Sequence, residues 1–132
     1  MDGKEIFEIH VVIDDSFEVN GAFSCARMIC FHGYAKSDFF EGEILPCAVD
    51  TQIADFGGNW KLSARYMLNG KDKLGNGCKI FIENAGQEID GKIIAKPKII
   101  TDSRYLSWLE KANLKSLIEN KGQELVIKIF EI

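Results

Sequence analysis

Apolar and polar residues alternate along most of this chain, in short runs separated by turn-forming residues. The run from Glu5 to Ile13 places four apolar side chains on one face: Phe7, Ile9, Val11 and Ile13. The run from Trp60 to Leu68 does the same with Leu62, Ala64, Tyr66 and Leu68. Because successive side chains of a strand point to opposite faces, this period of two predicts β-strands with one buried face.

Glycine, proline, asparagine and aspartate mark where the predicted strands end or bend. The segment 14–23 holds several of them and predicts an irregular connection between the first two strands. Gly42 interrupts the run 38–45, which is typical of a bulge or a sharp bend. Pro97 cannot donate a hydrogen bond to a neighbouring strand, so it indicates an edge or a bend in the run 92–100.

One segment near the end of the chain has a helical spacing instead. Tyr105, Trp108 and Leu109 lie at i, i+3 and i+4, which is the apolar stripe of an amphipathic helix. This spacing predicts one short helix near 103–112. The last residues return to strand-like alternation around a turn at 120–122.

Eight or nine short strands with frequent turns are typical of a sandwich or a barrel. We favour a barrel, because closure removes edge strands and several of these strands are apolar on both faces. The predicted fold is all-β: a single antiparallel β-barrel of about eight strands, lipocalin-like or allene-oxide-cyclase-like, forming one domain over residues 1–132. A barrel of this size has room inside for side chains or one small ligand.

Composition narrows the classes of partner. The 132 residues include 46% apolar and 27% charged residues, which is the balance of a globular domain. The net charge of −4, with 16 basic and 20 acidic residues spread along the chain, argues against nucleic-acid binding. No apolar run approaches the roughly 20 residues needed to span a bilayer, and the first residues lack the features of a signal peptide. We therefore expect a cytoplasmic protein without a membrane partner; whether it forms a homo-oligomer stays open.

The cysteines and histidines do not form a recognisable metal-binding pattern. Four cysteines lie at positions 25, 30, 47 and 78 without a C-x-x-C pair, and only His10 and His32 could join them. Reduced, buried thiols are the simpler interpretation. We predict no metal and no cofactor.

Four segments carry a resemblance to a known family: FFEGEILPCAVDTQ, LSARYML, GCKIFIENAG and KPKIITDSRYLSWL. Together, from Gly33 to Leu109, they resemble the uncharacterised family called domain of unknown function 3237. The matching positions are Gly42, Pro46, Asp50, Arg65, Tyr66, Gly77, Gly86, Pro97, Tyr105 and Trp108. The chain departs from the family where Cys47 and Ala48 replace a glycine pair and Thr51 replaces an aromatic residue. The resemblance implies a small β-barrel and no established activity.

Asp50 and Tyr66 are the candidate catalytic residues. An unpaired carboxylate within an apolar strand costs several kcal/mol, so Asp50 needs a partner, a ligand or water. It could be a general base with a raised pKa, or a structural residue paired with Arg65 or with turn N–H groups. Tyr66 is expected to point into the barrel, as an acid or ligand donor, or as a core residue bonded to a backbone carbonyl.

Four further residues are candidate ligand-binding residues. Arg65 lies on the strand face opposite Tyr66, so both can line one pocket only if a bulge intervenes. Asn84 and Trp108 could close the mouth of the barrel, or act as a turn cap and a hydrophobic plug. His32, beside a glycine at a strand end, has no identified nucleophile or second ligand near it.

Three functions follow from this interpretation. The first is the binding of a small, partly apolar molecule in the barrel interior. The second is a cofactor-free isomerase, cyclase or lyase with Asp50 and Tyr66 as acid and base. The third is a filled barrel acting as a structural or interaction module.

Overall fold

The computed structural model describes residues 3–55, 57–89 and 92–132. The strands within these ranges are β1 (Lys4–Asn20), β2 (Ser24–Lys36), β3 (Phe40–Ile44), β4 (Val49–Asp55), β5 (Trp60–Asp72), β6 (Gly77–Ile89), β7 (Lys92–Thr101), β8 (Leu114–Lys121) and β9 (Glu124–Glu131). All their pairings are antiparallel. In the described part of the chain, no helix is long and apolar enough to cross a membrane.

The strands close into a ring of eight positions, which confirms the predicted barrel. The order is β1-β9-β8-β7-β6-β5, and β2 returns to pair with β1. The short strands β3 and β4 together fill the position between β5 and β2. β3 pairs with one half of β5 and of β2, and β4 pairs with the other half of both strands. The segment between β3 and β4 contains Pro46 and Cys47, and Cys47 has a positive φ of 79°.

The predicted irregular connection at 14–23 is wrong. β1 continues to Asn20 and pairs with β2 along its whole extension, for example Phe17 with Met28. A register shift between Ile13 and Asp15 accommodates the extra residue as a bulge. The turn-forming residues of this segment therefore mark a bulge and a hairpin tip rather than a loop.

Gly42 also differs from expectation, and Pro97 lies where the pairing of β7 with β8 is interrupted. Gly42 pairs in regular register, and its backbone lies so close to β5 that an added Cβ would be 2.5 Å from the Asn69 carbonyl oxygen. Close approach, and not a bulge, explains this glycine. Pro97 lies inside β7 opposite Asn84, and the described β7–β8 ladder is reduced to the pair Ala95–Ser116.

The predicted helix is one 3-10 turn, Ser107–Glu110. Because a 3-10 turn has three residues per turn, Leu106 and Leu109 lie on the same side, and both are buried. Trp108 points away and is 38% exposed, contrary to the predicted apolar stripe.

Large apolar side chains fill one half of the barrel interior. They include Phe7, Phe40, Leu68, Ile80, Leu106, Leu109 and Ile129, all at most 1% exposed. The other half, towards the β1–β2, β4–β5 and β8–β9 turns, is less completely filled and holds the candidate site.

Candidate functional site

A cavity of about 320 Å³ occupies the less filled half of the barrel. Among the described residues, eleven apolar side chains and four polar ones line it. The polar residues are Asp50, Gln52, Asn84 and Asn120. The size and the mostly apolar lining are those of a small-molecule site.

Asp50 presents an unused carboxylate oxygen inside this barrel half. Its Oδ2 accepts a hydrogen bond of 2.9 Å from the side-chain amide of Gln52. Its Oδ1 is buried and makes no hydrogen bond of normal geometry within the described residues. Burial raises the pKa of the Asp50 carboxyl, while hydrogen bonds from Gln52 and from the Ser63 backbone oppose the shift. The Asp50 carboxyl therefore has a raised pKa and one oxygen left for a partner.

Arg27 determines how Gln52 is oriented. The guanidinium donates a 3.1 Å hydrogen bond to Gln52 Oε1 and lies 4.6 Å from the centre of the Trp60 ring. It also donates to Glu18 at 3.2 Å. Because arginine has no acceptor, the Gln52 carbonyl must face it, which turns the Gln52 amide towards Asp50. A series of hydrogen bonds thus runs from Glu18 through Arg27 and Gln52 to the Asp50 carboxylate in the cavity.

Asn84 is the second buried polar residue of the cavity. It is 5% exposed, and its Oδ1 accepts a 3.1 Å hydrogen bond from the Ser116 hydroxyl. Its Nδ2 can only donate a hydrogen bond. Asn84 therefore contributes an amide donor to the cavity, and the proposed role as a turn cap is wrong because it lies in the middle of β6.

Tyr66 points into the barrel, as the alternation predicts, but it does not line the cavity. It is 3% exposed, and its ring packs edge-on against Phe31 with centroids 5.6 Å apart. Its hydroxyl has no hydrogen-bond partner among the described residues, so the expected bond to a backbone carbonyl is not formed. Burial raises the pKa of this phenol well above its ordinary value.

Three predicted ligand-binding residues lie away from the cavity. Arg65 is on the outer face, as expected for the neighbour of an inward-facing residue, and pairs with Glu83 at 3.2 Å rather than with Asp50. His32 is exposed and contacts Asp14 at 2.6 Å. Trp108 is on the 3-10 turn beside the filled half of the barrel, so it does not close the mouth of the cavity.

The sequence pattern does carry a signal for Gln52. Gln52 is two residues after Asp50 in one strand, so both must face the same side. Asn120 and Arg27 gave no comparable signal, because asparagine in a turn and arginine in an amphipathic strand usually face solvent. Within the described residues, no group of three or more histidine, cysteine, aspartate or glutamate side chains is arranged to hold a metal ion.

Comparison by sequence finds one related protein, and its function is not characterised. A UPF0311 protein from Clostridium acetobutylicum is 30% identical over 89 residues, which cover 65% of this chain and 54% of that protein. The chain thus spans about half the length of this curated relative. No family model matches the chain, so the resemblance to domain of unknown function 3237 stays a prediction.

Comparison by structure places the fold among solved barrels. A protein of unknown function from Clostridium acetobutylicum has a TM-score of 0.85 and 22% identity, covering 100% of this chain and 99% of that one. A beta-barrel like protein from Acinetobacter baumannii has a TM-score of 0.78 and 17% identity, covering 98% and 94%. This chain is therefore an all-β barrel that is similar in sequence and in structure to proteins of unknown function.

Proposed function

We propose that this barrel binds a small, partly apolar molecule in its interior cavity. The observation that carries the proposal is the unpartnered Oδ1 of Asp50 in a cavity otherwise lined mainly by isoleucine, leucine and valine. A buried oxygen without a hydrogen bond costs about 1–3 kcal/mol. A ligand that supplies the missing hydrogen bond recovers that free energy and removes apolar surface from water at the same time.

A thermal-shift screen with small apolar metabolites tests the proposal. A ligand that binds only the folded protein adds about 2.7 kcal/mol at a concentration of 100 Kd. For a domain of this size the midpoint should rise by roughly 10 °C.

Two matched variants locate the binding site. Ala64 lines the cavity, whereas Ala85 is exposed on the neighbouring strand. Ala64→Leu should occupy the cavity and abolish the shift, and Ala85→Leu should preserve it. Binding that survives Ala64→Leu unchanged would place the ligand elsewhere, and a screen without any stabilising compound would contradict the proposal.

A cofactor-free isomerase, cyclase or lyase is the second candidate. Asp50 supports it, because a carboxylate with a raised pKa and one free oxygen suits a general base. Tyr66 fits the acid role less well, since its hydroxyl does not line the cavity. A filled barrel, by contrast, predicts no cavity of this size.

Deuterium exchange distinguishes an enzyme from a binding protein. For a carbonyl compound found in the screen, the enzyme hypothesis predicts that exchange of the α-hydrogen in D₂O is accelerated by the wild type. Asp50→Asn should bind the compound and lose the acceleration. Equal exchange with and without the protein would leave only the binding function.

A further inference from the structure

Two polar atoms of the cavity-lining residues are of opposite kinds. Asp50 Oδ1 can accept a hydrogen bond, and Asn84 Nδ2 can only donate one. Both residues have their other polar atom engaged, Asp50 with Gln52 and Asn84 with Ser116. The cavity lining therefore offers a buried acceptor on Asp50 and an amide donor on Asn84 to whatever enters it.

The strand register places these two atoms on either side of a small residue. Asp50 pairs with Ala64 across β4 and β5, and Ala64 pairs with Asn84 across β5 and β6. Two strand spacings put the α-carbons of Asp50 and Asn84 about 10 Å apart. Two hydrogen bonds to one oxygen span about 5–6 Å, so both side chains can reach a group held over the Ala64 methyl.

We propose that the ligand presents a hydroxyl group that donates to Asp50 and accepts from Asn84, on an uncharged apolar body; this inference rests on the proposed binding function. A hydroxyl is the smallest group that satisfies both atoms at once. An ether, a ketone or a halide leaves Asp50 Oδ1 without a donor. An ammonium group leaves the Asn84 amide without an acceptor and must also lose its hydration.

Arg27 and Gln52 act as positioning residues in this arrangement. With the Gln52 carbonyl held by Arg27, the Gln52 amide stays on Asp50 Oδ2, and Oδ1 is the oxygen left for the hydroxyl. The apolar body is matched by the rest of the lining, in which Ile29, Leu62 and Ile127 come from three different strands.

Three compounds with the same body test the hydroxyl assignment: 1-adamantanol, 1-fluoroadamantane and 1-aminoadamantane. Their dissociation constants for the full chain are measured by calorimetry at pH 7. The alcohol should bind about tenfold or more tightly than the fluoride, because only the alcohol satisfies the buried Asp50 oxygen. The ammonium compound should bind more weakly than the alcohol.

Variants of Asp50 then assign the preference to this residue. Asp50→Leu keeps the side-chain size and removes the acceptor, so the alcohol and the fluoride should bind within about twofold of each other. Asn84→Ala is a second variant that should also weaken alcohol binding selectively. Asp55→Leu, the same substitution at the end of the same strand but outside the cavity, should leave the preference of the wild type unchanged.

The results separate the two proposals. If the alcohol and the fluoride bind the wild type equally, the hydroxyl assignment is overturned and cavity binding stands. If the ammonium compound binds at least as tightly as the alcohol, the site selects a cation and the assignment is likewise overturned. If none of the three compounds binds, both this inference and the proposed function are contradicted.

Discussion

Replacing Tyr66 by phenylalanine should stabilise this protein, although a buried tyrosine hydroxyl usually has a hydrogen-bond partner. The hydroxyl is buried without a partner, which costs about 1–3 kcal/mol relative to a satisfied group. Its removal leaves the edge-on contact with Phe31 in place. The void left by one oxygen, about 10–15 Å³, costs about 0.3 kcal/mol at 24 cal/mol per Å³. The expected net gain is therefore about 1 kcal/mol, or roughly 4 °C in midpoint.

Urea unfolding followed by tryptophan fluorescence measures this gain, with an unchanged slope required for a valid comparison. Tyr34→Phe is the matched control, since Tyr34 is 46% exposed, and its effect should stay within about 0.5 kcal/mol. Ligand binding should be unaffected by Tyr66→Phe, because Tyr66 does not line the cavity. A loss of more than about 1 kcal/mol would refute the reasoning, since it would mean that the hydroxyl is hydrogen-bonded in solution.

Three further substitutions test other parts of the structure. Asp50→Asn should raise the free energy of unfolding at neutral pH. Burial raises the Asp50 pKa above 3.8, so the wild type loses stability as the pH rises through the folded-state pKa of Asp50. The gain from the substitution should therefore vanish in acid. A gain that does not change with pH would contradict this. Cys47→Gly should stabilise by about 1 kcal/mol in urea unfolding, because a positive φ of 79° strains a residue with a Cβ, and a lower midpoint would contradict it. Ser103→Ala should destabilise the protein most at pH 7, because the Ser103 hydroxyl donates a hydrogen bond to Asp72 and lowers the Asp72 pKa. The stability that this hydrogen bond contributes is present above the ordinary Asp pKa of 3.8 and is lost as the pH falls through the folded-state pKa of Asp72. An equal loss at pH 7 and at pH 3 would show that Asp72 is not the partner that matters.

The fold could be predicted because it depends on local alternation. In β1, every second residue from Phe7 to Val11 is apolar, which predicts that these side chains face inward. All of them are buried, as expected. The same rule placed Tyr66 inside and Arg65 outside. The length of the β1–β2 hairpin could not be predicted, because a bulge at Asp14 and a hairpin tip use the same residue types as a loop.

The site could be predicted only in part. Asp50 and Asn84 stood out as polar residues within apolar strands, and the structure brings both to one cavity. The predicted position of Trp108 is wrong because the chain forms a 3-10 turn where the spacing predicts an α-helix. Gln52 faces Asp50 because both lie on one face of β4, whereas the contact of Asn84 with Ser116 joins strands distant in sequence and leaves no trace in a local pattern.

Isoleucine methyl NMR with 1-adamantanol tests the central claim most directly, because isoleucines lie in both halves of the barrel. Those lining the cavity are Ile13, Ile29, Ile93, Ile118 and Ile127, and those in the filled half include Ile6, Ile80 and Ile99. We expect the alcohol to shift the first group and to leave the second unchanged. No shift in the cavity group, or shifts only at residues outside it, would contradict the assignment of this cavity as a ligand site.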